Sequence, residues 1–361
     1  MRVLGITAWA LIACTIFTVM LGTGVGFCLT NTLGEQVMFS NNDGANVGEQ
    51  TLKKDLVGNT QFSDYFSGIS PGQPISNDPY SHKQWALSRI QVPELWQVAT
   101  EDQGILVAIL DTGIDKNHED LADKVVAEIN FTDSPALGDL HGHGTHIAGI
   151  IAAIINNGKG IAGVAPGSRL MNVKVADDKG KCQASEIAKG IVWAVENGAK
   201  VISISLELGE PSAVLEDAVK YAWSRGALII AAAGNVGNEM PIYPAYYEIT
   251  IAVGASKVDG TLAPLSNHGD WVDLAAPGFN IYSTLPDDGY GYKSGTSFAT
   301  AHVSGMATLL FSIVTDTNGN GRVNDEVRAA IEAGCSRIEG NYVAKGRIDA
   351  VKSLAEIGYS P

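Results

Sequence analysis

The sequence predicts an α/β protein with three layers, α/β/α, around a mostly parallel central sheet. Short apolar runs rich in β-branched residues alternate with longer segments of helical period. Continuous apolar strands, each followed by a helix, are typical of a parallel sheet covered on both faces. The predicted strands are residues 105–110, 170–175, 201–206, 228–233 and 249–253, and the predicted helices are residues 145–155, 184–196, 212–225 and 297–314.

Composition narrows the class of protein. Of the 361 residues, 45% are hydrophobic and 17% are charged, which is typical of a globular chain long enough to bury a large core. The net charge is −15 and no Lys/Arg-rich run occurs. A nucleic-acid partner needs a basic face, so none is expected.

The N-terminal residues 1–30 form an apolar leader that precedes the folded part. Arg2 is followed by an almost uncharged run over residues 3–29. The run is longer than the apolar core of a signal peptide and reaches the length that spans a bilayer. A cleaved export signal and a retained membrane tether are the two main interpretations, and a buried core helix is the third. Both main interpretations predict a secreted or extracytoplasmic protein.

Residues 31–77 are polar and rich in Gly, Asn, Ser and Gln, which indicates a linker or a short pro-segment. Residues 78–361 then form the predicted main domain. Two of the four cysteines lie in the leader, which leaves Cys182 and Cys335 for the folded part. Two cysteines do not define a disulfide framework, and both can be free thiols.

Polar residues stand at the ends of several predicted strands. They are Asp111, Ser205 and Asn235. In parallel sheets, functional groups collect beyond the carboxyl ends of the strands. The chemistry is therefore expected at this edge.

Three segments, in order along the chain, carry an aspartate, histidines and a serine. They are 109–113 (ILDTG), 141–149 (HGHGTHIAG) and 295–305 (GTSFATAHVSG). A serine hydroxyl is a weak nucleophile until an imidazole accepts its proton, and the imidazole needs a carboxylate to fix its tautomer and stabilise its cation. Asp111 at a strand end, with His143 and Ser297 each opening a helix, meets that requirement.

Each segment has another interpretation when taken alone. Asp-Thr-Gly also suits a turn, an aspartic protease or a phosphate loop. His143 and His146 lie three residues apart and can bind a metal, although no glutamate completes a zinc-protease pattern. Gly-Thr-Ser before an apolar helix is also an ordinary cap. Their joint occurrence in this order favours catalysis.

Together the segments resemble the subtilisin-like serine protease family, over residues 78–354. The resemblance implies a subtilisin-like fold and cleavage of protein or peptide substrates. It implies that Ser297 is the nucleophile, His143 the general base and acid, and Asp111 the orienting carboxylate. His146 matches a histidine that does not react. In the segment 231–235 (AAAGN), Asn235 matches the oxyanion donor, together with the Ser297 backbone N–H.

The resemblance also implies that substrate binds as an added strand between two extended segments. Cys182 and Glu207 stand where relatives commonly have glycine. A glutamate there favours basic or neutral substrate residues over acidic ones, unless it points to solvent. Ile242 matches the floor of the S1 pocket and predicts small or medium apolar P1 residues, and Tyr243-Pro244 is expected to be a cis peptide. The full set of expected substrate-binding residues is Gly180, Lys181, Cys182, Ser205, Leu206, Glu207, Ala233, Gly234 and Ile242.

Structural Ca²⁺ is the cofactor that the resemblance implies. Asp133 and Asp139 lie where relatives hold a further ion, in a loop that is shorter here. Segment 316–324 resembles the first nine positions of an EF-hand loop, but Val327 occupies the twelfth position, and a polar turn is the alternative. The expected calcium ligands are side chains of Asp78, Asp120 and Asn157 and backbone carbonyls of Ile154, Lys159 and Ile161.

The predicted function is a serine endopeptidase that acts through an acyl-enzyme on Ser297, made as a zymogen and active as a monomer. The alternative is a catalytically silent binding module of the same fold, tethered at the cell surface and altered at Cys182 and Glu207. A nucleotide-binding Rossmann enzyme is disfavoured because no G-x-G-x-x-G follows the first strand. Residues 31–77 look too short and too polar for the folded pro-domain usual in this family.

Overall fold

The computed structural model describes residues 75–99, 104–338, 340 and 342–359, and the backbone of three strands nearer the N-terminus. Two units are present, residues 1–73 and residues 74–361. In the first unit, an antiparallel sheet joins β1 (Thr15–Leu21), β2 (Gly24–Thr30) and β3 (Gln36–Met38) in that order. The remainder of the predicted leader and nearly all of the predicted linker lie outside the described residues. Within the described part, no helix combines the length and apolarity needed to cross a membrane.

The second unit is built on an eight-stranded sheet whose strand pairs are all parallel. The order across the sheet is β13-β10-β9-β8-β7-β4-β6-β5, so β4 lies towards the middle. A separate hairpin joins β11 to β12. The strands are β4 (Leu106–Asp111), β5 (Val125–Asn130), β6 (Arg169–Lys174), β7 (Val201–Ile204), β8 (Leu228–Ala232), β9 (Ile251–Ser256), β10 (Leu274–Pro277), β11 (Ile281–Leu285), β12 (Gly289–Lys293) and β13 (Gly346–Arg347).

Helices cover both faces of this sheet. Those that carry the candidate site pack on one face with the shorter helices, while α4 and α5 cover the other. The helices are α1 (Trp85–Arg89), α2 (Val92–Trp96), α3 (His143–Ala152), α4 (Ala184–Glu196), α5 (Ala213–Ser224), α6 (Thr296–Phe311), α7 (Asn324–Ala333) and α8 (Ala350–Glu356). The three-layer arrangement predicted from the sequence is confirmed.

Burial on both faces explains why the sequence of β4 is apolar up to its last residue. Val107 and Ile109 join the core cluster under α3 and α6, whereas Ala108 and Leu110 join the cluster under α4 and α5. Successive side chains of a strand point to opposite faces, so a strand buried on both faces has no solvent-exposed position and is mostly apolar. The same holds for β7, β8 and β9, which are buried along their whole length.

The carboxyl edge of the sheet collects the polar residues noted in the sequence. Asp111 is the last residue of β4, Ser205 follows the end of β7 directly, and Asn235 lies three residues beyond β8. Facing them, α6 is buried at all sixteen positions. The first turn of this central helix therefore meets the strand ends.

Candidate active site

Asp111 and His143 are in direct contact at the end of β4. The Nδ1 atom of His143 lies 2.7 Å from Oδ1 of Asp111, and the same oxygen accepts a hydrogen bond from the Thr112 backbone N–H at 2.8 Å. The Asp111 carboxylate is 1% exposed, whereas the His143 side chain is 19% exposed. With Nδ1 directed at the carboxylate, Nε2 is the ring atom left for another partner.

The environment of His143 favours its cation. Burial lowers the pKa of the imidazole, but the charge of Asp111 and the hydrogen bond to it outweigh burial, so the pKa is raised above 6.5. Lys293 acts in the opposite direction and Asp139 adds to the rise. The Asp111 contact therefore decides the direction of the shift.

Asp139 holds the start of α3 against the strand end. Its Oδ1 accepts hydrogen bonds from Thr112 Oγ1 at 2.8 Å and from the backbone N–H groups of His141 and Gly142 at 3.0 and 2.8 Å. Its Oδ2 accepts from Thr145 N and Thr145 Oγ1 at 2.8 and 2.7 Å. This carboxylate is 4% exposed, and it accepts hydrogen bonds from backbone N–H groups at the start of α3 that have no partner within the helix. Both oxygens are directed at donors, which suits capping rather than the ion site considered from the sequence.

A glycine allows α3 to approach β4 this closely. A Cβ atom on Gly144 would overlap the Gly113 carbonyl oxygen and would lie 3.1 Å from Cβ of Asp111. The Gly144 backbone N–H donates to Thr112 Oγ1 at 3.1 Å. The close packing of α3 on β4 therefore explains why this position of the segment is glycine.

Ser297 lies in the first turn of α6, at the same edge. It is 6% exposed, and its carbonyl accepts a hydrogen bond from Ser205 Oγ at 3.3 Å. The ring of the next residue, Phe298, lies 5.7 Å from the His143 ring. Helix α6 therefore brings Ser297 next to Ser205 at the end of β7, and the following residue next to the His143 ring.

The side-chain amide of Asn235 is held at both of its ends. Its Oδ1 accepts from the Thr296 backbone N–H at 2.7 Å and from Thr296 Oγ1 at 3.2 Å. Its Nδ2 donates to Oε1 of Glu207 at 2.8 Å. Glu207 is exposed, and its carboxylate nevertheless has Asn235 as a hydrogen-bond partner. Neither contact was predicted, because side-chain contacts between separate loops leave no pattern in the sequence.

His146 has a different environment from His143. Its ring is buried, its Nε2 lies 3.2 Å from the Gly291 carbonyl, and burial lowers its pKa to about 3. A neutral ring that donates Nε2–H to a carbonyl has no lone pair at that atom for a metal. His143 and His146 thus have separate partners, the Asp111 carboxylate and the Gly291 carbonyl.

Comparison with known proteins gives the family. The subtilase family model matches residues 102–335. Thermitase from Thermoactinomyces vulgaris is 46% identical over 77% of this chain and 98% of thermitase. The thermophilic serine proteinase of Bacillus sp. (strain AK1) is 42% identical over 76% of this chain and 68% of its own. Subtilisin BL of Lederbergia lenta is 44% identical over 63% of this chain and 83% of its own.

The chain belongs to the subtilase family. It is a subtilisin-like serine-type endopeptidase, so the predicted family and enzyme class are confirmed.

The expected substrate-binding segments of this subtilase border the same edge. Lys181 and Cys182 lie in a turn in which Ala176 and Cys182 form a bridge, and a Cβ on Gly180 would lie 3.4 Å from the His141 ring. Ala233 is buried beyond β8, and the side chain of Ile242 would contact a Cβ on Gly234 at 3.1 Å. Leu206 is 7% exposed beside Ser205 and Glu207. The Tyr243-Pro244 peptide is cis, as predicted.

Both cysteines of the folded part are free thiols. Burial raises the pKa of Cys182 to about 11, and the charges of neighbouring carboxylates add to the rise. Cys335 behaves likewise, with a pKa of about 12. Burial therefore disfavours the thiolate, which is the reactive form of cysteine, at both positions.

Three of the expected calcium ligands lie together. Asp78 and Asp120 are 2% and 0% exposed, and Asn157 bridges them: its backbone N–H donates to Asp78 Oδ1 at 3.0 Å and its Nδ2 to Asp120 Oδ1 at 2.8 Å. Burial raises the pKa of Asp120, and the charge of Asp78 adds to the rise. Two buried carboxylates that repel each other fit a divalent cation, but their oxygens also accept backbone N–H groups, those of Asn156, Asn157 and Gly158 on Asp78 and that of Ile161 on Asp120. The Asn157 amide would have to turn to present its oxygen.

An ion in this place would depend on backbone oxygens. No group of three or more His, Cys, Asp or Glu side chains placed to bind one ion occurs among the described residues. The carbonyls of Ile154, Lys159 and Ile161 would therefore have to complete the shell. At segment 316–324, Asp316 already accepts backbone N–H groups of Gly319, Asn320 and Gly321, as a polar turn would.

We predict that Asp139→Asn lowers the free energy of unfolding by about 1–3 kcal/mol, because an amide nitrogen then faces donors that Asp139 now accepts. The free energy is measured by urea denaturation. The control is Asp133→Asn in the same loop, which is exposed and should change stability little. Equal midpoints for the two variants would contradict the capping role.

Proposed function

We propose that Asp111, His143, Ser297 and Asn235 carry out peptide hydrolysis through an acyl-enzyme on Ser297. The observation that carries the proposal is the 2.7 Å contact between His143 Nδ1 and the buried Asp111 carboxylate. It fixes the tautomer that leaves Nε2 able to accept a proton. The position of Ser297 in the first turn of α6 also supports the proposal.

In the first half-reaction, Nε2 of His143 accepts the Ser297 hydroxyl proton while Oγ bonds to the carbonyl carbon of the substrate. The resulting oxyanion is stabilised by Nδ2 of Asn235 and the Ser297 backbone N–H, at the positive end of α6. His143 then protonates the leaving amine and the peptide C–N bond breaks. In the second half-reaction, water takes the place of the amine and attacks the acyl carbon while His143 accepts its proton. His143 then returns that proton to Ser297 Oγ as the ester C–O bond breaks, and the acid product leaves. Losing one side-chain oxyanion donor costs roughly 10²–10³ in kcat, a magnitude measured in subtilisin itself.

The alternative is a catalytically silent binding module tethered at the cell surface. Its support is the presence of Cys182 and Glu207 at the cleft. We expect a fluorophosphonate probe to label the wild-type protein at Ser297, because the probe reports an activated serine. Labelling should be lost in Ser297→Ala and retained in Ser294→Ala, an exposed serine of the same segment. An unlabelled wild-type protein would favour the binding module.

The pH dependence of kcat/KM should follow His143. Activity requires the neutral imidazole, and the raised pKa keeps the ring protonated to higher pH, so the acidic limb should have its midpoint above 6.5. The charge of Lys293 lowers this pKa, so Lys293→Met should move the midpoint further upward. A midpoint below 6 in the wild-type enzyme would contradict this assignment.

We also propose a structural calcium ion held by Asp78, Asp120, Asn157 and the carbonyls of Ile154, Lys159 and Ile161. When bound, the ion would neutralise two buried carboxylates and so stabilise the folded state by mass action. A free calcium concentration of 100 times Kd adds about 2.7 kcal/mol to the free energy of unfolding.

Chelation followed by a thermal melt tests this calcium site. We expect EDTA to lower the Tm of the wild-type protein and calcium to restore it. In Asp120→Asn the difference between the two conditions should disappear, whereas the exposed α5 control Asp217→Asn should retain it. If Asp316→Asn abolished the difference and Asp120→Asn did not, the ion would belong to segment 316–324.

The remaining assignments concern where the enzyme acts and on what. We propose an extracytoplasmic monomer that cleaves proteins or peptides, with residues 78–361 as the catalytic domain and residues 31–77 as linker or pro-segment. The apolar run at 3–29 supports export, either as a cleaved signal or as a membrane tether. The net charge of the protein, −15, supports the absence of a nucleic-acid partner.

The subsite residues belong to this proposal too. The segments Gly180-Lys181-Cys182 and Ser205-Leu206-Glu207 would hold the substrate strand, with Ala233 and Gly234 beside the scissile bond. Ile242 would close the S1 pocket and favour small or medium apolar P1 residues. Its proximity to Gly234 supports that assignment.

A further inference from the structure

Glu207 is a third carboxylate near His143, and it contacts Asn235 directly. Its Oε1 lies 2.8 Å from Nδ2 of Asn235. The backbone beyond it is fixed, because Leu208 and Tyr243 exchange two hydrogen bonds, Leu208 N–H to Tyr243 O at 3.0 Å and Tyr243 N–H to Leu208 O at 2.9 Å. Glu207 therefore approaches Asn235 from a fixed segment.

The contact uses one of the two hydrogens on Nδ2. Because Thr296 holds Oδ1 of the same amide, the Asn235 side chain is fixed at both ends and its second N–H direction is set. A donor that is already oriented needs no reorganisation when charge develops on the substrate. On this ground Glu207 assists the reaction.

The charge of Glu207 has the opposite effect. Glu207 is exposed as a whole residue, but its surroundings still remove enough water to raise the pKa of its carboxyl, against the lowering effects of the Asn235 hydrogen bond and the His143 charge. Among the described residues, no lysine or arginine forms an ion pair with Glu207. An uncompensated anion beside the oxyanion donor repels the oxyanion that this donor stabilises.

We propose that Glu207 is a positioning residue that acts through Asn235: its carboxylate holds the amide in place, while its negative charge limits the rate of acyl transfer. The proposal rests on the function proposed above for Asn235. It also predicts which substrates are preferred, since a basic residue next to the scissile bond offsets the charge and an acidic one adds to it.

Two substitutions separate the positioning effect of the Glu207 carboxylate from the effect of its negative charge. Glu207→Gln keeps an acceptor for Nδ2 and removes the charge, whereas Glu207→Ala removes both. We expect kcat in Glu207→Gln to rise roughly 3–10-fold with little change in KM, because the repulsion acts on the transition state and amounts to less than one whole oxyanion donor. In Glu207→Ala, kcat should fall below that of Glu207→Gln. The control is Glu210→Gln, which makes the same charge change on an exposed residue of the same loop.

The pH profile gives a readout that a purely structural role would not move. The Glu207 carboxylate interacts electrostatically with His143, and it also acts on Cys182. Removing the Glu207 charge should lower the midpoint of the acidic limb of kcat/KM, because one anion that stabilises the imidazolium is gone. The titratable groups that face His143 are Asp111, Asp139, Lys293, Glu207, His141 and His146.

Peptides that carry Lys, Gln or Glu beside the scissile bond complete the experiment. The ratio of kcat/KM for Lys over Glu should exceed one in the wild-type enzyme and approach one in Glu207→Gln. Active-site titration with the fluorophosphonate normalises every rate. If the wild-type enzyme is labelled but Glu207→Gln matches it in kcat, pH midpoint and peptide ratio, the role of Glu207 is wrong and the proposed function stands. An unlabelled wild-type enzyme would overturn both.

Discussion

The contact between Asp111 and His143 is the interaction on which the rest of the site depends. Burying a carboxylate costs free energy unless strong partners replace water. Asp111 has the His143 ring and the Thr112 N–H as partners, and it ends a strand paired on both sides by β6 and β7. A strand end inside the sheet is a rigid support. The imidazole is thereby held in one orientation by the main sheet itself.

Further contacts hold helix α3 in the position in which His143 contacts Asp111. Asp139 ties the helix start to Thr112, and the missing side chain at Gly144 lets the two backbones meet. The same arrangement concentrates negative charge, with Asp111, Asp139 and Glu207 around one imidazole. In the proposed mechanism, anions that stabilise the imidazolium also oppose the oxyanion, so this cleft would balance two charges that form together.

The sequence was informative where structure depends on local pattern. The continuous apolar runs predicted β4 and β6 to β9 to within three residues at each end, because strands buried on both faces are mostly apolar. Strand β5, at the sheet edge, is mostly half-exposed, and β12 (GYGYK) alternates glycine with polar residues; neither has such a run. Both were missed for that reason.

The site divides in the same way. The positions of Asp111, Ser205 and Asn235 at the strand ends were predicted from the sequence, while the capping by Asp139 and the contact between Glu207 and Asn235 were not. An aspartate shortly before a helix is a capping signal, so Asp139 had a detectable pattern. The Glu207 contact joins loops after two different strands, and only the register of β7 against β8 brings them together.

Helix α6 carries Ser297 and is enclosed by protein along its entire length. Segments of this kind exchange their amide hydrogens only when the whole domain opens, whereas exposed loops open locally. A protease that meets copies of itself in solution can cleave a segment only after that segment has opened. Ser297, the proposed nucleophile, therefore sits on one of the parts of the molecule least accessible to self-digestion, and autolysis would begin in the surface loops, away from it.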